Sequence, residues 1–155
     1  MLDRLGVLLA VDLGSARVGV AACDAGRVLA YPVETVPAGE GLDDRISALV
    51  AEYNAAALIV GFPLALDGSR GIAAQNVENQ ARLLAARVGV PVWLVDERLT
   101  SVQANQRLRA AGRNSRSARG VVDAQAAVGI LESVLRALDA GRMIGRELEV
   151  EEAHG

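Results

Sequence analysis

Three short apolar runs joined by glycine turns, followed by an alternation of helix-like and strand-like segments, restrict this chain more than any other feature. The runs are Gly6–Val11, Val18–Cys23 and Val28–Val36, separated by turns at 13–16 and 24–26. Connections this short predict an antiparallel meander. Leu42, Ile46, Leu49, Val50 and Tyr53 then form a helical stripe, and Ala57–Pro63 reads as a buried strand. Val77, Ala81, Leu84, Ala85 and Val88 form a second stripe ended by Gly89, before a fifth strand at Val90–Glu97. A short helix over 101–111 and a long one over 121–138 complete the pattern. Three antiparallel strands followed by αβαβα predict an α/β fold, a mixed five-stranded sheet with helices on its faces and strand order 3-2-1-4-5. A length of 155 residues suits one domain, placed at 1–141, with 142–155 expected as an acidic, flexible tail carrying Glu147, Glu149, Glu151 and Glu152.

Several classes fall away. No apolar stretch approaches the roughly 20 residues that span a bilayer, and the start lacks the pattern of a cleaved leader, so no membrane partner and a cytoplasmic location are expected. One cysteine, Cys23, and one histidine, His154, supply neither a disulfide nor a zinc set. Cys23, inside a strand, reads as a small core residue. Gly14–Gly19 has the outer glycines of a phosphate loop, but Val20-Ala21 stands where Lys-Ser/Thr is required.

Net charge is −3, yet its distribution is uneven. Arg107, Arg109, Arg113, Arg116 and Arg119 fall in 13 residues without an acid, leaving −8 for the remainder. Four scattered aromatics (Tyr31, Tyr53, Phe62 and Trp93) do not make a base-stacking platform, so any nucleic-acid contact must run through the backbone. A solvated loop is the plainer reading of the arginines unless acids lie nearby.

The acids supply that context. In open α/β sheets, ligands gather at strand carboxyl ends near a switch point. Asp12 follows the first strand there, although an acid in such a position also serves as a turn residue. The pair Asp96-Glu97 ends the fifth strand, where an ion pair with Arg98 is the simpler explanation. Asp123 shares a helical face with Ala126, Ala127, Ile130 and Val134; favourable interaction with the helix N-terminus is its alternative role. Brought together, these carboxylates would repel by about 4 kcal/mol per pair at ~4 Å and an effective dielectric near 20, a conflict a divalent cation removes. Oxygen ligands select Mg²⁺ or Mn²⁺, which suits hydrolysis of a phosphodiester.

Four ordered segments carry a family resemblance: Asp12–Ala21, Gly61-Phe62-Pro63-Leu64 with 66–69, Val95–Ser101, and Gly120–Asp123 with Ala126-Ala127. Together they resemble the YqgF/RuvX family, described as pre-16S ribosomal RNA nucleases and as Holliday junction resolvases, over about residues 6–138. The resemblance implies a ribonuclease H-like fold, metal-dependent nuclease activity on RNA (pre-16S ribosomal RNA) and a role in maturing the 5′ end of 16S ribosomal RNA. It places the family's acids at Asp12, Asp96-Glu97 and Asp123. On this reading Asp12, Glu97 and Asp123 are catalytic metal ligands with Asp96 in reserve. Arg17 and Arg98 contact phosphate beside the metals, and Arg107, Arg109, Arg113, Arg116 and Arg119 hold the backbone. Three alternatives stand beside it. A resolvase acting on structured DNA would require a homodimer, an actin-like or sugar-kinase-like ATPase would need a second domain, and a non-catalytic ribosome-assembly or transcription-associated module would leave buried acids uncompensated.

Overall fold

The structure, a computed structural model, describes residues 6–14, 16–62, 71–96 and 117–148, with the side chains of 117–123 excepted. Strands β1 (Leu8–Leu13), β2 (Arg17–Cys23) and β3 (Ala30–Pro37) form the meander. Helix α1 (Leu42–Glu52), β4 (Ala57–Phe62), α2 (Ile72–Val88), β5 (Val92–Asp96), α3 (Ser117–Asp139) and β6 (Arg146–Glu147) follow. The sheet order is β3-β2-β1-β4-β5-β6, with β1, β4 and β5 parallel and the remaining pairs antiparallel. The expected α/β architecture and inner order are therefore present, with six strands instead of five.

The sixth strand comes from the stretch expected as a tail. Arg146 and Glu147 pair with Leu94 and Trp93, and Leu148 is buried against the sheet. Gly145 makes this possible: its φ is +90°, and a Cβ there would stand 2.1 Å from the Leu94 carbonyl oxygen. Only glycine brings the chain that close to β5.

Strand alternation divides the core in two. Leu9, Val11, Val18, Val20, Leu58, Val60, Val92 and Leu94 pack under α1 and α2. Leu8, Ala10, Ala21, Cys23, Ile59 and Val95 pack under α3, which contributes Ala127, Ile130, Leu131 and Val134. Both faces are covered, which is why β1 and β4 read as continuous apolar runs rather than alternating ones. The long helix begins at Ser117, before the expected 121. Residues expected as a helix over 101–111 lie outside the described ones.

The helices end where local chemistry requires it. Gly89 adopts the left-handed conformation (φ 70°) that caps α2, as its position in the sequence suggests. Asn54, also left-handed, follows α1, and the Ala55 N–H donates to the Val50 carbonyl. Asp43 and Asp44 occupy the first turn of α1, where the helix dipole favours acids.

Candidate active site at the carboxyl edge of the sheet

Asp12 lies within β1, directly paired with Gly19 of β2. The strand runs on to Leu13 instead of ending at Val11, because the hairpin keeps its register through the Leu13–Val18 pair. The turn that follows is tight: Gly14 N–H donates to the Arg17 carbonyl at 3.1 Å, and a Cβ on Gly14 would lie 2.4 Å from that oxygen. Asp12 is thus a strand residue two positions before a glycine that cannot carry a Cβ.

Alternation along β1 puts Asp12 on the face of Leu8 and Ala10, beneath α3. Its neighbours there are unusual. Gly19 is its partner on β2, and on β4 the position after the Val11–Val60 pair is Gly61, itself paired with Val95 on β5. The row across the four strands on that face is therefore Gly19, Asp12, Gly61 and Val95. Asp12 therefore carries the only side chain longer than a hydrogen atom at three consecutive positions of this row, from β2 through β1 to β4. Asp12 itself is only partly buried, so solvent and ions reach it. In the sequence Gly19 and Gly61 stand only as motif glycines, one in the rejected phosphate loop and one in a family segment; their place on either side of Asp12 is set by the strand register.

Asp96 belongs to the other face. It ends β5 opposite Phe62, in phase with Val92 and Leu94, which pack under α1 and α2. The sheet therefore separates Asp12 and Asp96 instead of bringing them together, and among the described residues no group of three metal-ligating side chains occurs. Position 123 falls on α3, four, seven, eight and eleven residues before the buried Ala127, Ile130, Leu131 and Val134. Position 119 is also on this helix. Arg17, at the start of β2, is exposed on the site side of the hairpin. Glu97, Arg98, Arg107, Arg109, Arg113 and Arg116 lie outside the described residues. Cys23 is buried and accepts a hydrogen bond from the Leu8 N–H at 3.2 Å, and burial raises its pKa, so it is the inert core residue its sequence position suggests.

Helix α3 has a polar anchor in its buried stripe. The hydroxyl of Ser133, 6% exposed, donates to the Gly129 carbonyl and accepts from the Arg136 guanidinium at 3.1 Å. A buried hydroxyl with both a donor and an acceptor partner does not tax the packing of the helix.

The comparisons with known proteins agree with this geometry. The family model described as RuvX, Holliday junction resolvase, matches residues 6–137. A Cutibacterium acnes protein named "Putative pre-16S rRNA nuclease" is 46% identical over 138 residues, covering 88% of this chain and 86% of its own length. Proteins of the same name from Streptomyces coelicolor and Thermobifida fusca are 47% and 48% identical, covering 92% and 85% of this chain and 86% and 88% of their own. Among solved structures, Thermus thermophilus RuvC in complex with a Holliday junction aligns with a TM-score of 0.62 at 15% identity, covering 92% of this chain and 99% of that one. That likeness fixes the fold as ribonuclease H-like. With this fold, Asp12 at the carboxyl edge, and a family match spanning nearly all described residues, the chain belongs to the RuvX family.

Proposed function

We propose that this protein is a divalent-metal-dependent nuclease that hydrolyses phosphodiester bonds in the 5′-end maturation of 16S ribosomal RNA, acting in the cytoplasm. The observation that carries the reading is the placement of Asp12 between Gly19 and Gly61 at the carboxyl edge of a ribonuclease H-like sheet. The relatives' name supports the choice of substrate.

The donor chemistry fits a hard cation. Asp12 offers carboxylate oxygen in a partly exposed position between two glycines, and among the described residues no histidine or thiolate stands beside it. Asp12, Glu97 and Asp123 would hold Mg²⁺ or Mn²⁺. Of the terminal pair on the fifth strand, Asp96 lies in phase with the opposite face, and this favours Glu97 over Asp96, which stays in reserve. Position 123 belongs to the helix that covers Asp12's face, four and seven residues before the buried Ala127 and Ile130, a spacing that supports its membership of the set. When bound, the cation supplies a water nucleophile of lowered pKa and stabilises charge on the phosphate. The chain's own residues orient the backbone. Arg17 and Arg98 would take phosphate oxygens beside the acids, and Arg107, Arg109, Arg113, Arg116 and Arg119 would hold the strand farther out.

Cleavage of junction DNA is the second reading, favoured by the description of the family model. It requires two copies of the chain to cut two strands. Incubating the protein with a 5′-extended 16S precursor and with a four-way DNA junction, each with Mg²⁺, Mn²⁺ or EDTA, separates the readings. Metal-dependent trimming of the precursor supports the first. Paired symmetric nicks in the junction with an intact precursor would replace it with the second.

A further inference from the structure

The acidic-looking tail contributes an arginine to the carboxyl edge. Arg146 pairs with Leu94, two residues before the end of β5, but its guanidinium lies 5.8 Å from the centroid of the Phe62 ring. Phe62 is level with Asp96 at the very end of that strand. The side chain thus reaches two strand positions, about 7 Å, toward the edge where the candidate active site lies. It does so on the α2 side of the sheet, where it forms an ion pair with Glu78. Glu78 also pairs with Arg82 at 3.4 Å.

The arrangement is asymmetric in exposure. The Glu78 side chain is 12% exposed, whereas those of Arg82 and Arg146 are 49% and 51% exposed. One inward carboxylate is shared by two outward guanidiniums, which turn toward solvent on the face where Asp96 also ends β5. Each guanidinium has about five N–H donors in a planar fork, against about four lone-pair sites on the carboxylate. Donors therefore outnumber the acceptor they share. The Phe62 ring, 5.8 Å from the Arg146 guanidinium, lies within cation–π range, and a guanidinium can take a phosphate in two parallel hydrogen bonds.

We propose that Arg146, with Arg82 beside it, binds backbone phosphates of the polynucleotide on the α2 side of the carboxyl edge, and that Glu78 is a built-in competitor which holds both arginines in place until phosphate takes its share. The inference rests on the nucleic-acid reading above and adds contact residues beyond those of the Arg107–Arg119 stretch of sequence.

Binding alone tests it, without reference to cleavage. Affinity for a fluorescent RNA hairpin in EDTA is measured by anisotropy across a KCl series, for the wild type and for Arg146→Gln, Arg82→Gln and Glu78→Gln, with melting curves for each. Loss of one phosphate contact in Arg146→Gln should flatten the log-affinity against log-salt slope by about 0.7 to 0.9. Glu78→Gln should bind more tightly, since the competing anion is gone. A slope equal to wild type in a normally melting Arg146→Gln would overturn the proposal and leave Arg146 as a latch between β6 and α2. Weaker binding by a stable Glu78→Gln would overturn it equally. Arg82→Gln, on an exposed helical turn, decides the matter if the other two melt early: a flattened slope supports the surface, an unchanged one refutes it. Failure of the wild type to bind the hairpin in a salt-dependent way would instead reject the nucleic-acid reading itself.

Discussion

At the scale of single residues, the site depends as much on absent side chains as on present ones. Asp12 sits between Gly19 and Gly61, and the turn after it tolerates nothing larger than glycine at position 14. Gly14→Ala sets a methyl group against the Arg17 carbonyl and should destabilise the protein by about 1–3 kcal/mol, read as a lowered melting temperature. Gly19→Ala should act differently. It sets a methyl group beside Asp12, so metal-dependent cleavage should fall further than any drop in melting temperature accounts for. Equal loss of activity and stability would mean that Gly19 serves the sheet and not the site. Asp12 was legible in the sequence as an acid at a strand end. That Gly19 and Gly61 flank it was not, because pairing register, which only the folded sheet supplies, decides which residues of separate strands share a face.

Elements tell a similar story of partial legibility. The stripes Leu42–Tyr53 and Val77–Val88 and the cap at Gly89 mark α1 and α2 because helical periodicity is a local signal. Two apolar residues, Val28 and Leu29, extend the third strand in the sequence but lie outside it at 84% and 64% exposure. Asp24 takes them into its own turn by accepting hydrogen bonds from both of their N–H groups. β6 is invisible in the sequence for the opposite reason: a two-residue polar strand has no periodicity, and its existence depends on Gly145 fitting against β5 and on burial of Leu148. The edge strand β3 is tied to α1 by a forked pair in which Arg45 donates to both oxygens of Glu34, at 2.9 and 2.6 Å. The Arg45 hydrogen bond, with its charge, holds the Glu34 carboxyl below its ordinary pKa. Its stabilisation is therefore present above the ordinary glutamate range of about 4.3 and is lost as pH falls through the depressed folded value. Glu34→Gln should flatten the stability-against-pH curve below about pH 4.3, with a loss at neutral pH under about 1 kcal/mol, since both side chains are roughly one-third exposed. A curve identical to wild type in acid would mean that the pair contributes nothing to folding.

For the molecule as a whole, one sheet serves two helical layers and carries the candidate site at one edge. Among the described residues α3 alone covers the face of Asp12, so Ile130→Ala or Leu131→Ala should cost about 2–5 kcal/mol by leaving a cavity under that helix. Metal-dependent cleavage should decline with them, because the helix that carries position 123 loses its seat. On the opposite layer Asp96 stands apart from Asp12, so Asp96→Asn should retain cleavage where Glu97→Gln abolishes it. The reverse pattern would transfer the ligand role to Asp96. The central claim is that the carboxylate of Asp12 at the carboxyl edge supports metal-dependent phosphodiester hydrolysis. Cleavage of the 5′-extended 16S precursor in Mg²⁺ or Mn²⁺ by wild type and Asp12→Asn, with the metal-induced rise in melting temperature recorded for both, tests it most directly. The account predicts that the variant folds, binds the precursor, loses cleavage and shows a smaller metal-induced rise; cleavage by Asp12→Asn at the wild-type rate, with the same metal stabilisation, would contradict it.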